Sequence, residues 1–157
     1  MTDEASRRQA SAQGETYHRI LAAYDGSENA RRALRRAIEI AKASAGDLFT
    51  VSAADSTRFT AYPMVAASEV LRDQVVQQTT KLMEEASALA KEQRVKSTIA
   101  SFGEGHPADV ILTQALRNKV DLIVAGRRSI KGVERFMMGS VSSAIVSRSE
   151  CDVLIAK

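Results

Sequence analysis

The stretch VDLIVAGRRSIKGVERFMMGSVSSAIVSRSECDVLIAK, residues 120–157, decides the fold. It opens with one apolar run, VDLIVAG, and closes with another, CDVLIAK, with a helical segment over residues 140–149 between them. Continuous apolar runs are typical of strands buried on both faces, as in parallel sheets covered by helices. The stretch therefore predicts a strand–helix–strand unit with parallel strands.

The same alternation continues upstream. Further strands are predicted in HRILAAYD (18–25), DLFTVSAAD (47–55) and VKSTIASF (95–102), and helices over residues 27–45, about 68–93 and 106–118. This order is typical of an α/β fold, a five-stranded parallel sheet with helices on both faces. Residues 1–16 are polar and aperiodic and predict a disordered tail, which leaves residues 17–157 as one domain.

Two of the helices have apolar stripes that predict their buried faces. In the helix over residues 27–45, Ser27 is the expected N-cap, Gly46 follows the end, and the stripe comprises Ala30, Ala33, Leu34, Ala37, Ile38 and Ala41. In the helix over residues 68–93 the stripe comprises Leu71, Val75, Leu82, Ala86 and Leu89.

The helix over residues 27–45 also carries Arg31, Arg32, Arg35 and Arg36 opposite its stripe. Without interleaved aromatic residues, this face is interpreted as solvated and supported by pairs with Glu39, rather than as a nucleic-acid patch.

The composition limits the kind of protein this can be. The chain has 157 residues, 45% of them apolar and 4% aromatic, and a net charge of +3. This mildly basic balance permits an anionic ligand without requiring nucleic acid. A lone cysteine, Cys151, excludes an internal disulfide framework, and no apolar stretch reaches membrane-spanning length. We therefore expect a cytoplasmic protein that does not enter the membrane.

Common catalytic and metal-binding motifs are missing from the sequence. Residues 103–108, GEGHPA, match a dinucleotide fingerprint only formally, since they follow the third strand and Pro107 removes a backbone donor. They are interpreted instead as a glycine-rich turn into a helix. No P-loop lysine motif, no G-x-S-x-G elbow and no paired metal-ligand spacing occurs. The sequence thus predicts neither catalytic residues nor a metal site.

The strongest candidate site lies between the last two strands. Gly126 ends a buried strand, and Gly139 precedes a helix whose first turn holds Ser140 and Ser142. Free N–H groups and the dipole of a helix N-terminus attract anions. The loop between is cationic through Arg127, Arg128, Lys131 and Arg135. An ordinary capped helix with a solvated basic loop stays open as the alternative.

Three segments together resemble the universal stress protein family. ILAAYDGSENARRAL resembles its first strand, aspartate and serine-capped helix. GHPADVIL resembles its Gly-x-Pro helix entry, and residues 120–157 resemble its nucleotide loop, last helix and last strand. The resemblance implies a Rossmann-like sheet of the adenine nucleotide alpha hydrolase type, with strand order 3-2-1-4-5. It also implies a homodimer through the last strand, residues 151–157.

The family's ATP-binding members carry Gly-x2-Gly-x9-Gly-Ser/Thr, and this chain departs from that pattern at one position. Gly126 and Gly139-Ser140 fit, but Ser129 replaces the middle glycine. By resemblance, Asp25 would face the ribose and Ala53 the adenine. The phosphates would be surrounded by Gly126, Ser129, Gly139, Ser140, Val141 and Ser142. A serine at positive φ costs roughly 1 kcal/mol, less than a typical phosphate-binding contribution, so nucleotide binding is favoured.

The resemblance implies a stress-response regulator, a sensor or adaptor rather than a fast enzyme. Its cofactor would be ATP, or ADP or AMP, with magnesium held mainly by the phosphates. No base to activate water is evident, although slow hydrolysis or self-phosphorylation is left open. The alternative is a nucleotide-independent dimeric interaction module of the same fold. A nucleic-acid partner is not favoured, and the protein partner is not identified by the sequence.

Overall fold

The computed structural model describes residues 16–55, 65–99, 103–127 and 138–157. Within these ranges the strands and helices, in chain order, are β1 (Arg19–Ala23), α1 (Glu28–Ser44), β2 (Asp47–Val51), β3 (Ala53–Asp55), α2 (Val65–Glu92), β4 (Ser97–Ile99), β5 (Gly103–Gly105), α3 (Pro107–Arg117), β6 (Leu122–Gly126), α4 (Ser140–Arg148) and β7 (Asp152–Ala156). None of these helices is long and apolar enough to cross a membrane.

Five strands form one parallel sheet in the order β4-β2-β1-β6-β7. In terms of the five predicted strands this is the order 3-2-1-4-5, so the predicted α/β class and topology are confirmed. Leu21 in the central strand β1 lies opposite Phe49 in β2 and Ile123 in β6. The strand order switches direction between β1 and β6, and such a switch opens a crevice at the carboxyl ends of the strands.

A second, two-stranded parallel sheet joins β3 to β5, with Ala53 opposite Gly103. The predicted strand over residues 47–55 is thus divided at Ser52 into β2 and β3. Residues 103–105 were predicted as a glycine-rich turn, and this was wrong, since they form β5. Glycine has little strand propensity, and pairing with β3 is not a local signal. Of the predicted third strand, residues 100–102 lie outside the described ranges.

Helices cover both faces of the main sheet, and β1 shows how its side chains alternate between two cores. Ile20 and Ala22, with Tyr24 directly after the strand, pack with α1 and α2, whereas Leu21 packs with α3 and α4. All four side chains are buried. The alternation follows from the two-residue period of a strand.

The buried face of α1 is the one that its sequence predicts, residue for residue. Ser27 caps the helix, and its Oγ accepts a hydrogen bond from the Ala30 N–H at 3.1 Å. At the other end, Ala45 rather than Gly46 adopts the left-handed conformation, with φ of 51°. Position 46 requires a residue without a side chain, because a Cβ there would lie 2.9 Å from the Tyr17 carbonyl oxygen.

Among the residues of the predicted α2 stripe whose side chains the structure describes, only Ala86 is fully buried, and Leu71 falls outside them. Among the residues of α2 whose side chains the structure describes, the buried ones are Thr79, Met83, Ala86 and Ala90. Leu82 and Leu89 flank this row and are only half-buried. Small alanines and a flexible methionine let the helix lie close to the sheet, whereas the hydrophobic pattern gives most weight to the leucines.

Candidate functional site

The carboxyl ends of the central strands bring three predicted site residues to one level of the sheet. The parallel register of β1 with β2 and β6, continued beyond the strand ends, places Asp25 level with Ala53 on one side and with Arg127 on the other. Asp25 is exposed, and the other two residues are half-buried. These residues therefore border the crevice between β1 and β6.

A tight turn after β1 holds Asp25 at the crevice. The Ser27 N–H donates to Asp25 Oδ1 at 2.9 Å. Gly26 between them has φ of +78°, a left-handed conformation that favours glycine, and a Cβ there would meet only the movable end of the Leu82 side chain of α2, at 2.6 Å. The exposed carboxylate has acceptor capacity beyond the Ser27 N–H, which a ligand hydroxyl can use.

The end of β6 packs directly on the first turn of α1. A Cβ on Gly126 would lie within 2.5–2.8 Å of backbone atoms of Asn29 and Ala30. Asn29 Nδ2 donates to the Arg127 carbonyl, and the Arg127 N–H donates to the Ala156 carbonyl of β7 at 2.9 Å. The close packing of helix on strand thus explains the glycine at position 126.

The first turn of α4 lies against the same end of β6. The buried Ser142 hydroxyl donates to the Gly126 carbonyl at 3.3 Å. Because that donor is occupied, Ser142 can offer an anion its backbone N–H but not its hydroxyl proton. The helical hydrogen bonds of α4 begin with the Ser143 N–H, which donates to the Gly139 carbonyl at 2.9 Å. The preceding N–H groups of Ser140, Val141 and Ser142 have no partner inside the helix, and glycine at the N-cap supplies no side-chain cap.

Part of the predicted site falls outside the residues that the structure describes. Ser129 belongs to this part, as do Arg128, Lys131 and Arg135 of the cationic loop. Asp25, Ala53, Gly126, Arg127, Gly139, Ser140, Val141 and Ser142 are all described, and all belong to the carboxyl edge of the sheet.

A network beneath this edge was not predicted from the sequence. Arg31 of α1 pairs with Glu85 of α2, with Nε 3.0 Å and a terminal nitrogen 2.9 Å from Oε1. The buried Tyr24 hydroxyl lies close enough to stabilise the charge of Glu85, yet none of the described groups meets hydrogen-bond geometry with it. Tyr24, then Arg31, lower the pKa of Glu85, while burial, then Glu85, raise the pKa of Tyr24. Arg31 and Glu85 are 54 residues apart, so no local pattern reveals their pairing.

The arginine face of α1 has the predicted solvated character. Arg36 pairs with Glu39 at 2.9 Å, Arg32 lies 3.7 Å from Glu28, and Arg31 pairs with Glu85. These carboxylates offset three of the four positive charges. The face is therefore a weak candidate for binding nucleic acid.

Other features of the described residues add no competing site. His106 is the N-cap of α3 and makes no side-chain capping hydrogen bond. In the described ranges no three His, Cys, Asp or Glu residues group in a way that could hold a metal ion. A cavity of about 360 Å³ lies between α3 and α4 at the opposite edge of the sheet, and no predicted site residue lines it.

Sequence comparison extends the resemblance over nearly the whole chain. The model of the universal stress protein family matches residues 16–157. A putative universal stress protein of Staphylococcus aureus strain USA300 is 33% identical over 147 residues, which cover 90% of this chain and 85% of the relative. A universal stress protein of Methanocaldococcus jannaschii is 29% identical over 141 residues, covering 90% and 82%.

Solved structures share the fold. A universal stress protein from Lactobacillus plantarum superposes with a TM-score of 0.75 at 23% identity, covering 92% of this chain and 100% of that one. A universal stress protein in complex with cAMP gives 0.66 at 26% identity, covering 91% and 98%. An Arabidopsis thaliana family protein with AMP bound gives 0.65 at 19%, covering 89% and 91%. On the family match and the identity to its relatives, this chain belongs to the universal stress protein family.

Proposed function

We propose that this chain binds an adenine nucleotide in the crevice between β1 and β6 and acts as a stress-response regulator rather than a fast enzyme. The observation that carries the proposal is the meeting of two features at one edge of the sheet. The first turn of α4 offers N–H groups that have no partner inside the helix, beside Gly126. Asp25 borders the same crevice with an exposed carboxylate.

The chemistry of these groups fits the two ends of a nucleotide. A helix N-terminus without a side-chain cap is an anion site, which suits the phosphates, and Arg127 adds a positive charge beside it. A carboxylate accepts hydrogen bonds from ribose hydroxyls. Family members bound to cAMP and to AMP support this class of ligand. ATP with magnesium bound through its phosphates is the finer proposal.

The regulatory role rests on what the described residues lack. Among them we find no metal cluster, and the carboxylate at the crevice, Asp25, is the candidate contact of the ribose. Such a site suits a conformational change on nucleotide binding, recognised by a protein partner, better than it suits rapid hydrolysis of the nucleotide. If no adenine nucleotide binds, the nucleotide-independent interaction module becomes the better proposal.

Thermal unfolding and calorimetry of the full chain test the proposal. A ligand that binds only the native state stabilises it by about 2.7 kcal/mol at a hundredfold excess over Kd. We expect ATP with magnesium, ADP, AMP or cAMP to raise the Tm, and mass spectrometry after denaturation to detect any nucleotide retained on purification. Unchanged unfolding at millimolar concentrations of all four would overturn the proposal.

A pair of charge variants on α4 separates binding from folding. Ser140→Asp adds a negative charge to the exposed first turn, where it favours the helix but repels phosphate. We expect ATP affinity to fall about tenfold or more while the Tm in the absence of nucleotide does not fall. Ser147→Asp adds the same charge in the last turn and serves as the matched control, with ATP affinity close to that of the parent. Equal losses in both variants would contradict phosphate binding at the start of α4.

A further inference from the structure

We propose that Asn29 is a positioning residue for the phosphate end of the nucleotide, an inference that rests on the proposed function. Asn29 occupies the first turn of α1, directly after the turn that carries Asp25. Its side chain reaches across the crevice edge to the Arg127 carbonyl, where the chain leaves β6. It therefore links the two loops that border the crevice.

The contact fixes the direction in which the chain leaves β6. Because the peptide bond is planar, a hydrogen bond to the Arg127 carbonyl holds the whole peptide unit that follows Arg127. On its other side, the Arg127 N–H donates to the Ala156 carbonyl at 2.9 Å. Two neighbours, one in α1 and one in β7, thus hold the backbone of Arg127 at the entrance of the predicted phosphate loop.

The backbone at this point allows little adjustment. Gly126 lies so near the backbone of Asn29 and Ala30 that even a methyl group would approach within 2.5 Å of it. The Asn29 backbone and side chain therefore contact two consecutive residues of the exit from β6. Ser142 holds the opposite side of Gly126 through its hydroxyl.

In this arrangement Asn29 should influence the binding of the phosphates and have little influence on the binding of the nucleoside. Asp25 and Ala53, the candidate contacts of the nucleoside, are held by their own turn and by the pairing of β3 with β5. The described hydrogen bond of the Asn29 side chain holds the exit from β6. Loss of its amide should loosen this exit, beside the first turn of α4, while the nucleoside end keeps its geometry.

Binding of ATP and of adenosine to the parent and to Asn29→Ala tests this assignment. We expect ATP to bind about fivefold more weakly to the variant, as loss of one hydrogen bond implies, with adenosine affinity within about twofold of the parent. The ATP-to-adenosine affinity ratio is the readout that general destabilisation would not move. Asn29→Gln keeps an amide donor on a longer side chain and should recover part of the ratio.

Asn118→Ala is the matched control. Asn118 Nδ2 donates to the Gln114 carbonyl at 2.8 Å, so its replacement removes the same kind of hydrogen bond at the opposite edge of the sheet. Its affinity ratio should equal that of the parent. If the parent binds ATP and Asn29→Ala keeps the parental ratio, the positioning role is overturned while the proposed function stands. If the parent binds neither ligand, the proposed function is overturned, and the positioning role with it.

Discussion

At the scale of single residues, Ala45 is an alanine in a conformation that favours glycine. It ends α1 with φ of 51° and ψ of 31°. Ala45→Gly should therefore raise the free energy of unfolding, by about 0.5–1 kcal/mol, because glycine relieves the left-handed strain at some cost in chain entropy. Denaturant unfolding measures the gain, and a loss of stability would contradict the assigned strain.

The neighbouring glycine provides the opposite case. A Cβ at position 46 would lie 2.9 Å from the Tyr17 carbonyl oxygen and 3.0 Å from that of His18. Gly46→Ala should accordingly lower the free energy of unfolding by about 1–3 kcal/mol, as overpacking does. The same denaturant experiment on both variants distinguishes a conformational requirement at residue 45 from a spatial requirement at residue 46. A Gly46→Ala variant as stable as the parent would show that these carbonyls can move apart.

The prediction for Ser129, which lies outside the described residues, concerns nucleotide affinity and rests on the sequence alone. If it adopts positive φ, Ser129→Gly removes strain of about 1 kcal/mol and tightens nucleotide binding several-fold. If φ is negative, the affinity should stay the same. Calorimetry with ATP on the variant and the parent checks both cases. A loss of more than tenfold would instead make the serine hydroxyl a principal phosphate ligand.

At the scale of helices and strands, what the sequence could predict depends on where each signal lies. The six buried residues of α1 were predicted because a single amphipathic helix carries its own periodic pattern. The burial of Thr79 in α2 was not predicted, since a polar residue interrupts such a pattern. Strand β5 and the Arg31–Glu85 pair were missed for a different reason. Both depend on partners distant in the chain.

The Arg31–Glu85 pair gives the contact between α1 and α2 a predictable pH dependence. Tyr24 and Arg31 lower the pKa of Glu85 below its ordinary value of 4.5. A carboxyl whose pKa is lowered by folding stabilises the native state above its unfolded pKa, and this stabilisation is lost as the pH falls through the folded pKa. Glu85→Gln should therefore lower the Tm at pH 7, and the difference from the parent should shrink below pH 4.5.

Glu39→Gln is the control for this pH dependence. Its carboxylate pairs with Arg36 within α1, where both side chains are about two-thirds exposed. Exposed pairs of this kind contribute little, so its Tm should follow that of the parent at every pH. A Glu85→Gln variant whose Tm deficit is the same at pH 3 and pH 7 would show that packing, not charge, joins the two helices.

At the scale of the whole molecule, topology explains why much of the candidate site could be located before the structure was known. In a parallel sheet the loops after the strands meet at one edge, so Asp25, Ala53 and Gly126 come together although about a hundred residues separate the first from the last. The sequence could not predict which donors are already occupied. The Ser142 hydroxyl proton goes to Gly126, and Asn29 reaches Arg127.

The two outer strands of the main sheet raise the question of assembly, and β7 is the one predicted to form a homodimer. Among the described strands it pairs only with β6. Its residues Val153, Leu154 and Ile155 are half-buried, whereas the three middle residues of β1, 20–22, are fully covered. An apolar edge with unpaired backbone groups invites a second copy of the same strand. We expect a dimer in solution, with the two β7 strands at its interface.

Val153→Lys tests this interface, because a lysine on the edge strand opposes pairing with its own copy. Light scattering at tens of micromolar should give a dimer mass for the parent and a monomer mass for the variant. Val70→Lys is the control, since it changes a side chain that is 60% exposed on α2, a helix that packs at the β2–β4 side of the sheet, and it should leave the dimer intact. Circular dichroism must show that both variants keep the parental fold. A monomeric parent, or a dimer that survives Val153→Lys, would contradict assembly through β7.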